Sequence, residues 1–103
     1  MAREQFQTLT EPMFYILLAL REECCGVDIM EKVTLLSHGR VRIGPGTLYT
    51  MLQKFEANNV ISQTRFSGRQ KWYIVTDTGR KMLEEEIERL KTMLLDANAF
   101  REV

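Results

Sequence analysis

GRVRIGPGTLYTML, residues 39–52, decides how this chain is read. Arg40, Arg42, Gly44, Pro45 and Gly46 crowd against the start of an apolar pattern. Leu48, Met51, Leu52 and Phe55 follow at i, i+3, i+4 and i+7, the spacing of one buried helical stripe. The opposite face carries Gly46, Thr50, Gln53 and Ala57, flanked by Tyr49 and Lys54. It is polar without being charged throughout, and its small residues leave room for something to approach. A helix N-terminus leaves backbone N–H groups unpaired and carries partial positive charge. Glycines there let a phosphate reach the backbone, and proline sets the geometry of the first turn.

Working outward, residues 9–23 read as a helix, with Thr10 as N-cap and Pro12 where a missing N–H costs little. Its apolar residues, Met13 to Leu18 and Leu20, run almost all the way round, so it needs cover on every side and implies a partner chain. A second helix is expected over 27–37, on the stripe Ile29, Met30, Val33 and Leu36, with Gly39 as its left-handed terminus. The third helix stops at Asn58-Asn59. Residues 60–66 and 70–76 are rich in β-branched and aromatic side chains and flank the turn Ser67-Gly68-Arg69, a hairpin. Thr76 then caps a final helix running to about residue 100. Leu83, Ile87, Leu90, Leu94 and Ala97 form a heptad-like seam on it, widened by Met82, Met93 and Phe100. Glu84 to Glu86, with Glu88, are expected on its solvated side.

The expected fold is therefore mainly α with a small β-hairpin: a winged helix-turn-helix over residues 9–76 and a C-terminal dimerisation helix over 77–101, in one domain of 103 residues. The apolar run from Pro12 to Leu20 is about half a membrane span, and no basic leader with a small-residue cleavage site is evident. A cytoplasmic protein without a membrane role is the expectation. Cys24 and Cys25 are neighbours and His38 is the single histidine, which offers neither a disulfide framework nor a zinc set. Partly buried thiols fit best; a thiol sensor is the sharper alternative.

Formal net charge is zero, yet it is unevenly placed. Residues 1–37 sum to −3, residues 38–76 to +5 and residues 77–103 to −2. A basic block between acidic ends is an electrostatic footprint for a polyanion, and the acidic ends oppose indiscriminate binding. The third helix is then a recognition helix. Thr50 and Gln53 face base edges, Tyr49 and Lys54 reach backbone or flanking bases, and Gly46 and Thr47 open the helix beside Arg40 and Arg42. Arg65, Arg69 and Lys71 ride along phosphates as the wing. Each feature alone has a plainer reading: a tight turn, solvated charge, a tyrosine at a core edge. Their conjunction favours double-stranded DNA.

Four segments, LTEPMFYILLAL, GVDIMEKV, GPGTLYTMLQKFEANNVI and RQKWYIVTDTGRKMLEEE, resemble in order and spacing the PadR family of bacterial transcriptional regulators. The resemblance spans about residues 8–95. Its most specific piece is similar to the family's GTLY followed by Leu-Glu and a Gly-Leu-Ile ending, with Phe55-Glu56 and Val60-Ile61 in those places. Lys71-Trp72-Tyr73, Thr76 and Gly79 look like the family's Lys-Tyr-Tyr, Thr and Gly. Asn59 stands where the family has glycine, a change asparagine tolerates because it enters left-handed conformations. Val27 and Trp72 replace tyrosines, away from the proposed DNA face.

The resemblance implies a homodimeric winged-helix repressor that binds a near-palindromic operator, joined mainly through the C-terminal helix against the partner's first helix. Leu17, Leu83, Ile87, Leu90 and Leu94 are the expected interface. Some short members enclose a pocket for flat hydrophobic effectors, for which Tyr15, Leu18, Met93, Leu94 and Phe100 are candidates here; for any one of them plain dimer core is the simpler reading. An enzyme is not expected: no base is placed beside an activated group, no phosphate-cradling motif ends in Gly-Lys-Ser/Thr, and no cofactor is implied. The competing class is a winged helix serving as a protein-interaction or dimerisation adaptor. It has no need of a basic block around one helix.

Overall fold

The computed structural model describes residues 8–101. The elements run α1 (Glu11–Ala19), β1 (Cys24–Cys25), α2 (Gly26–Leu36), α3 (Pro45–Ala57), β2 (Ile61–Ser67), β3 (Gln70–Val75) and α4 (Asp77–Arg101). The expected order of helices and hairpin is present, with β1 added. This short strand pairs antiparallel with β3, making a three-stranded sheet in the order β1-β3-β2.

Thr10 caps α1 as expected, its hydroxyl accepting the Met13 N–H at 3.3 Å. The helix ends at Ala19, four residues short of the expected end at 23. The backbone beyond it is claimed by the sheet: the Leu20 carbonyl accepts the Val75 N–H at 2.9 Å, and Cys24 pairs with Tyr73. Cross-strand bonding wins over helical propensity here, because a paired backbone group in the interior cannot be exchanged for a solvated one. Ile16, Leu17, Ala19 and Leu20 are buried in the core, where α1 packs against α2 and α4, while Met13, Phe14, Tyr15 and Leu18 stay half-buried.

The α2–α3 connection turns through two left-handed residues, His38 (φ 55°) and Gly39 (φ 82°). Buried Ser37 braces it by accepting the Val41 N–H at 2.9 Å. On α3, Leu48, Leu52 and Phe55 are buried and Met51 half-buried, the stripe read from the sequence. Each full burial contributes about 1.5–3 kcal/mol to anchoring the helix. Asn59 takes the left-handed conformation (φ 60°) that the sequence required of it.

Three elements meet at Thr76. Its hydroxyl donates to the carbonyls of Asn59 (2.6 Å) and Val60 (3.0 Å) and accepts the Gly79 N–H at 3.1 Å, capping α4. Gly79 lies so close to the sheet that a Cβ there would stand 2.2 Å from the Val60 carbonyl oxygen and 2.4 Å from Val75 Cγ2. Further along α4, Met82, Leu83 and Glu86 are buried and Ile87 is half-buried. The burial of Glu86, 1% exposed, corrects the expectation that it lies on the solvated side. It lies four residues after Met82 and three after Leu83, on the stripe that turns inward. Its carboxylate accepts from Arg89 Nε at 3.0 Å, Arg89 Nη2 at 2.5 Å and the Leu9 N–H at 3.4 Å.

The close approach at Gly79 gives a direct test. Gly79→Ala is expected to lower stability by about 1–3 kcal/mol in denaturant unfolding, since the atoms its methyl would meet are a backbone oxygen and a packed methyl. Gly46→Ala, with nothing within 4 Å of the added methyl, is expected to be neutral or stabilising by up to ~1 kcal/mol.

Candidate nucleic-acid interface

The polar face of α3 and the inner face of the hairpin form one groove of about 380 Å³. Tyr49, Thr50, Gln53 and Glu56 line it from the helix, and Arg69, Lys71 and Tyr73 from the hairpin. Thr50 donates its hydroxyl proton to the Gly46 carbonyl at 2.9 Å, so it offers the groove its remaining lone pairs and its methyl. At the helix start Gly44 is the N-cap residue and Pro45 follows; no side chain among the described residues caps it. The Gly46 and Thr47 N–H groups therefore point out of an exposed first turn with no intrahelical acceptor. Tyr49 is held against the start of α2, where a Cβ on Gly26 would meet its hydroxyl at 2.3 Å. Burial raises the Tyr73 phenol above its ordinary pKa, with Glu56 and Tyr49 adding to the effect.

The expected basic residues divide into two groups. Arg69 and Lys71 line the groove; Arg42 and Lys54 are exposed beside the start and in the last turn of α3. Arg65 and Arg40 are engaged by protein groups outside the groove lining. Arg65 stacks on Trp72, 4.2 Å from the ring centroid, and pairs with Glu23 at 3.2 Å. The reason is a β-bulge. Gln63 pairs with Tyr73 and Arg65 with Trp72, so Thr64 is the extra residue. Strict alternation from Ile61 would put Arg65 on the groove side; the bulge sends it to the other face. Arg40 bonds to Glu11 at 2.6 Å and to the Tyr15 hydroxyl at 2.8 Å, tying the α2–α3 connection to the first turn of α1. The Glu11 bond, first of several contributions, raises its guanidinium pKa.

Leu17 and Leu83, expected at a dimer contact, are buried inside the protomer and have no surface to offer. Ile87 is half-buried, and from Leu90 onward the seam is uncovered: Leu90, Met93, Leu94, Leu95 and Phe100 are all exposed. Tyr15 lines a second groove of about 300 Å³ between α1 and α4, with Leu9, Glu11, Phe14, Glu86, Arg89 and Leu90. Leu18, Met93, Leu94 and Phe100 do not line it. The cysteines are free and buried in β1. Burial pushes the Cys24 thiol up to about 11, overriding the lowering by Lys32. Among the described residues no helix is long and apolar enough to cross a membrane.

A helix laid open along one polar face, with a cationic hairpin beside it, is the architecture of a winged-helix DNA-binding regulator. The model of the transcriptional regulator PadR-like family matches residues 16–85, and the chain belongs to that family. It is accordingly a DNA-binding transcriptional regulator and not an enzyme. A PadR family transcription regulator of Clostridium difficile has the same fold, with a TM-score of 0.74 at 23% identity over 88% of this chain and 98% of that one. So does BpsR of Bordetella bronchiseptica, whose DNA binding is regulated by 6-hydroxynicotinic acid: TM-score 0.69, 20% identity, 88% of this chain and 66% of that one. An uncharacterised 37.1 kDa protein in transposon TN4556 of Streptomyces fradiae is 40% identical over 45 residues, 44% of this chain but 13% of its own length.

The division of cations predicts unequal effects on DNA binding. Arg69→Ala and Lys71→Ala are each expected to flatten the plot of log affinity against log salt by ~1, while Arg65→Ala changes the slope by less than about half that. Equal slopes for all three would mean that the bulge does not sort them. The raised Cys24 thiol predicts slow alkylation of the native protein at pH 8, becoming rapid on unfolding. Because the folded thiol holds its proton to higher pH than the ordinary value of 9.0, stability is flat below that value and falls as pH rises toward 11.

Proposed function

We propose that this chain is a cytoplasmic homodimeric repressor that reads a near-palindromic operator and is released by a hydrophobic or aromatic small molecule. Residues 9–76 form the DNA-binding region and residues 77–101 the dimerisation helix. The observation that carries the reading is the shared groove, where Thr50 and Gln53 on α3 stand opposite Arg69 and Lys71 on the hairpin. It joins groups that read base edges to groups that neutralise phosphates. Arg42, Gly46, Thr47, Tyr49 and Lys54 extend the same surface, and Arg40 and Arg65 serve as its braces.

The exposed half of α4 supports the dimer. Leu90, Met93, Leu94, Leu95 and Phe100 leave an apolar surface on a helix that projects past the core, and a second copy covers it. The groove at Tyr15 and Leu90 supports an effector site next to that contact, with Phe14 and Tyr15 as its aromatic wall. Leu18, Met93 and Phe100 border it only once the partner is in place.

Selection from a random pool of duplex DNA tests the reading. Two half-sites about 10 base pairs or a multiple apart are expected, with affinity falling steeply as salt rises. No enrichment and no salt-sensitive binding would instead favour an adaptor. Leu94→Glu, at a side chain 59% exposed and outside the protomer core, is expected to sediment as a folded monomer. A dimer that survives that change overturns the assignment of α4.

A further inference from the structure

Phe66 is 67% exposed near the end of β2, in a strand whose other residues beyond Ile61 are all polar: Ser62, Gln63, Thr64, Arg65 and Ser67. A single exposed apolar residue needs no explanation by itself. Its direction does. The bulge that turns Arg65 outward turns Phe66 inward, because Phe66 pairs with Lys71, and side chains paired across strands share a face. Lys71 and Tyr73 line the groove from that face, and Tyr73 and Val75 continue it into the core. Phe66 therefore extends the groove-lining face past the last buried residue, toward the hairpin tip. The turn beyond it is slim: Gly68 has a φ of 62° and nothing within 4 Å of where a Cβ would be. Phe66 is the largest apolar group the tip can present, with Lys71 directly opposite it and Arg69 in the turn between the strands.

We propose that Phe66 is an apolar wedge that the wing inserts between base steps of the DNA minor groove adjoining the major groove filled by α3. The inference rests on the DNA-binding reading above. Arg69 and Lys71 supply the charge that brings a polyanion to this tip, and not an apolar protein surface. A minor groove about 6 Å wide excludes a helix but admits one planar ring from a narrow turn. Phenylalanine is among the side chains that proteins use to unstack a step and bend the duplex, which lets more of the protein touch DNA. Specificity then includes a flexible step at the flank of each half-site, which no hydrogen bond reads.

The test uses the full chain and an operator recovered by selection, with 2-aminopurine replacing adenine at successive flanking positions. Binding of the unaltered protein is expected to raise fluorescence at one step in each half-site, reporting unstacking. Phe66→Ala is expected to remove that signal and weaken binding roughly tenfold without changing the salt slope, since no phosphate contact is lost. Phe66→Met, which keeps an apolar wedge, is expected to retain most of both. Exposure of the ring keeps folding out of the result, and circular dichroism checks it. Tight, salt-sensitive binding with no fluorescence rise, or with equal affinity for Phe66→Ala, overturns the wedge and leaves the DNA-binding reading standing. Failure of the unaltered protein to bind any duplex overturns both.

Discussion

The close approach between the first turn of α4 and the Val60 carbonyl is the constraint on which the rest of the structure depends. That carbonyl accepts the Thr76 N–H and the Thr76 hydroxyl, both at 3.0 Å, and Gly79 leaves the space that the contact needs. Val60 lies three residues after α3, and Thr76 directly follows β3. The junction therefore fixes the exit of the recognition helix, the base of the hairpin and the start of the long helix against one another. A carbonyl buried here without its donors would cost about 1–3 kcal/mol, so the three elements hold their angles together or lose them together.

Charge is distributed by the same economy of geometry. A chain with no net charge still presents cations to DNA because its acids neutralise selected arginines and leave others. Glu11 holds Arg40, Glu23 holds Arg65, and buried Glu86 holds Arg89. The first two are exposed pairs and contribute little to stability. Their effect is directional: they fix guanidinium groups on connections and on the outer face of the hairpin. Arg69 and Lys71 keep the groove side, where Glu56 limits how far the positive field spreads. A surface built this way favours close fit over indiscriminate attraction to any polyanion.

Most of the fold was legible in the sequence because its signals are local. Thr10 and Thr76 have N-cap chemistry, Leu48 to Phe55 follow a helical period, and Asn59 sits where only a left-handed residue serves. What escaped depends on tertiary pairing. β1 has two residues and no pattern of its own; it exists because β3 offers a free edge. The bulge at Thr64 has no glycine to announce it, yet it exchanges the faces of Arg65 and Phe66. Glu86 was hidden in a run of glutamates, although its spacing from Met82 and Leu83 placed it on the inward stripe. Leu17 and Leu83 carried the apolar periodicity of an interface, but periodicity does not say whether a face turns to its own core or to a second chain.

That ambiguity along α4 resolves into a division of labour. The half up to Ile87 is buried against the core, and the half from Leu90 on is bare. At 1.5 Å per residue, the helix runs on to residue 101, roughly 21 Å past Ile87, the last half-buried residue of the seam. In the proposed dimer, those turns set the separation of the two α3 helices, which must match half-sites about 34 Å apart. The groove at Tyr15 and Leu90 lies where the buried half gives way to the bare half. In the proposed regulation, a ligand there acts at the point where α4 leaves its own protomer. Because the Val60 junction ties α3 to the base of α4, a change in the angle between the two long helices of the proposed dimer moves both recognition helices. On that proposal, regulation needs no rearrangement within the winged helix: repacking a few apolar side chains beyond Ile87 takes two correctly folded readers out of register with their DNA.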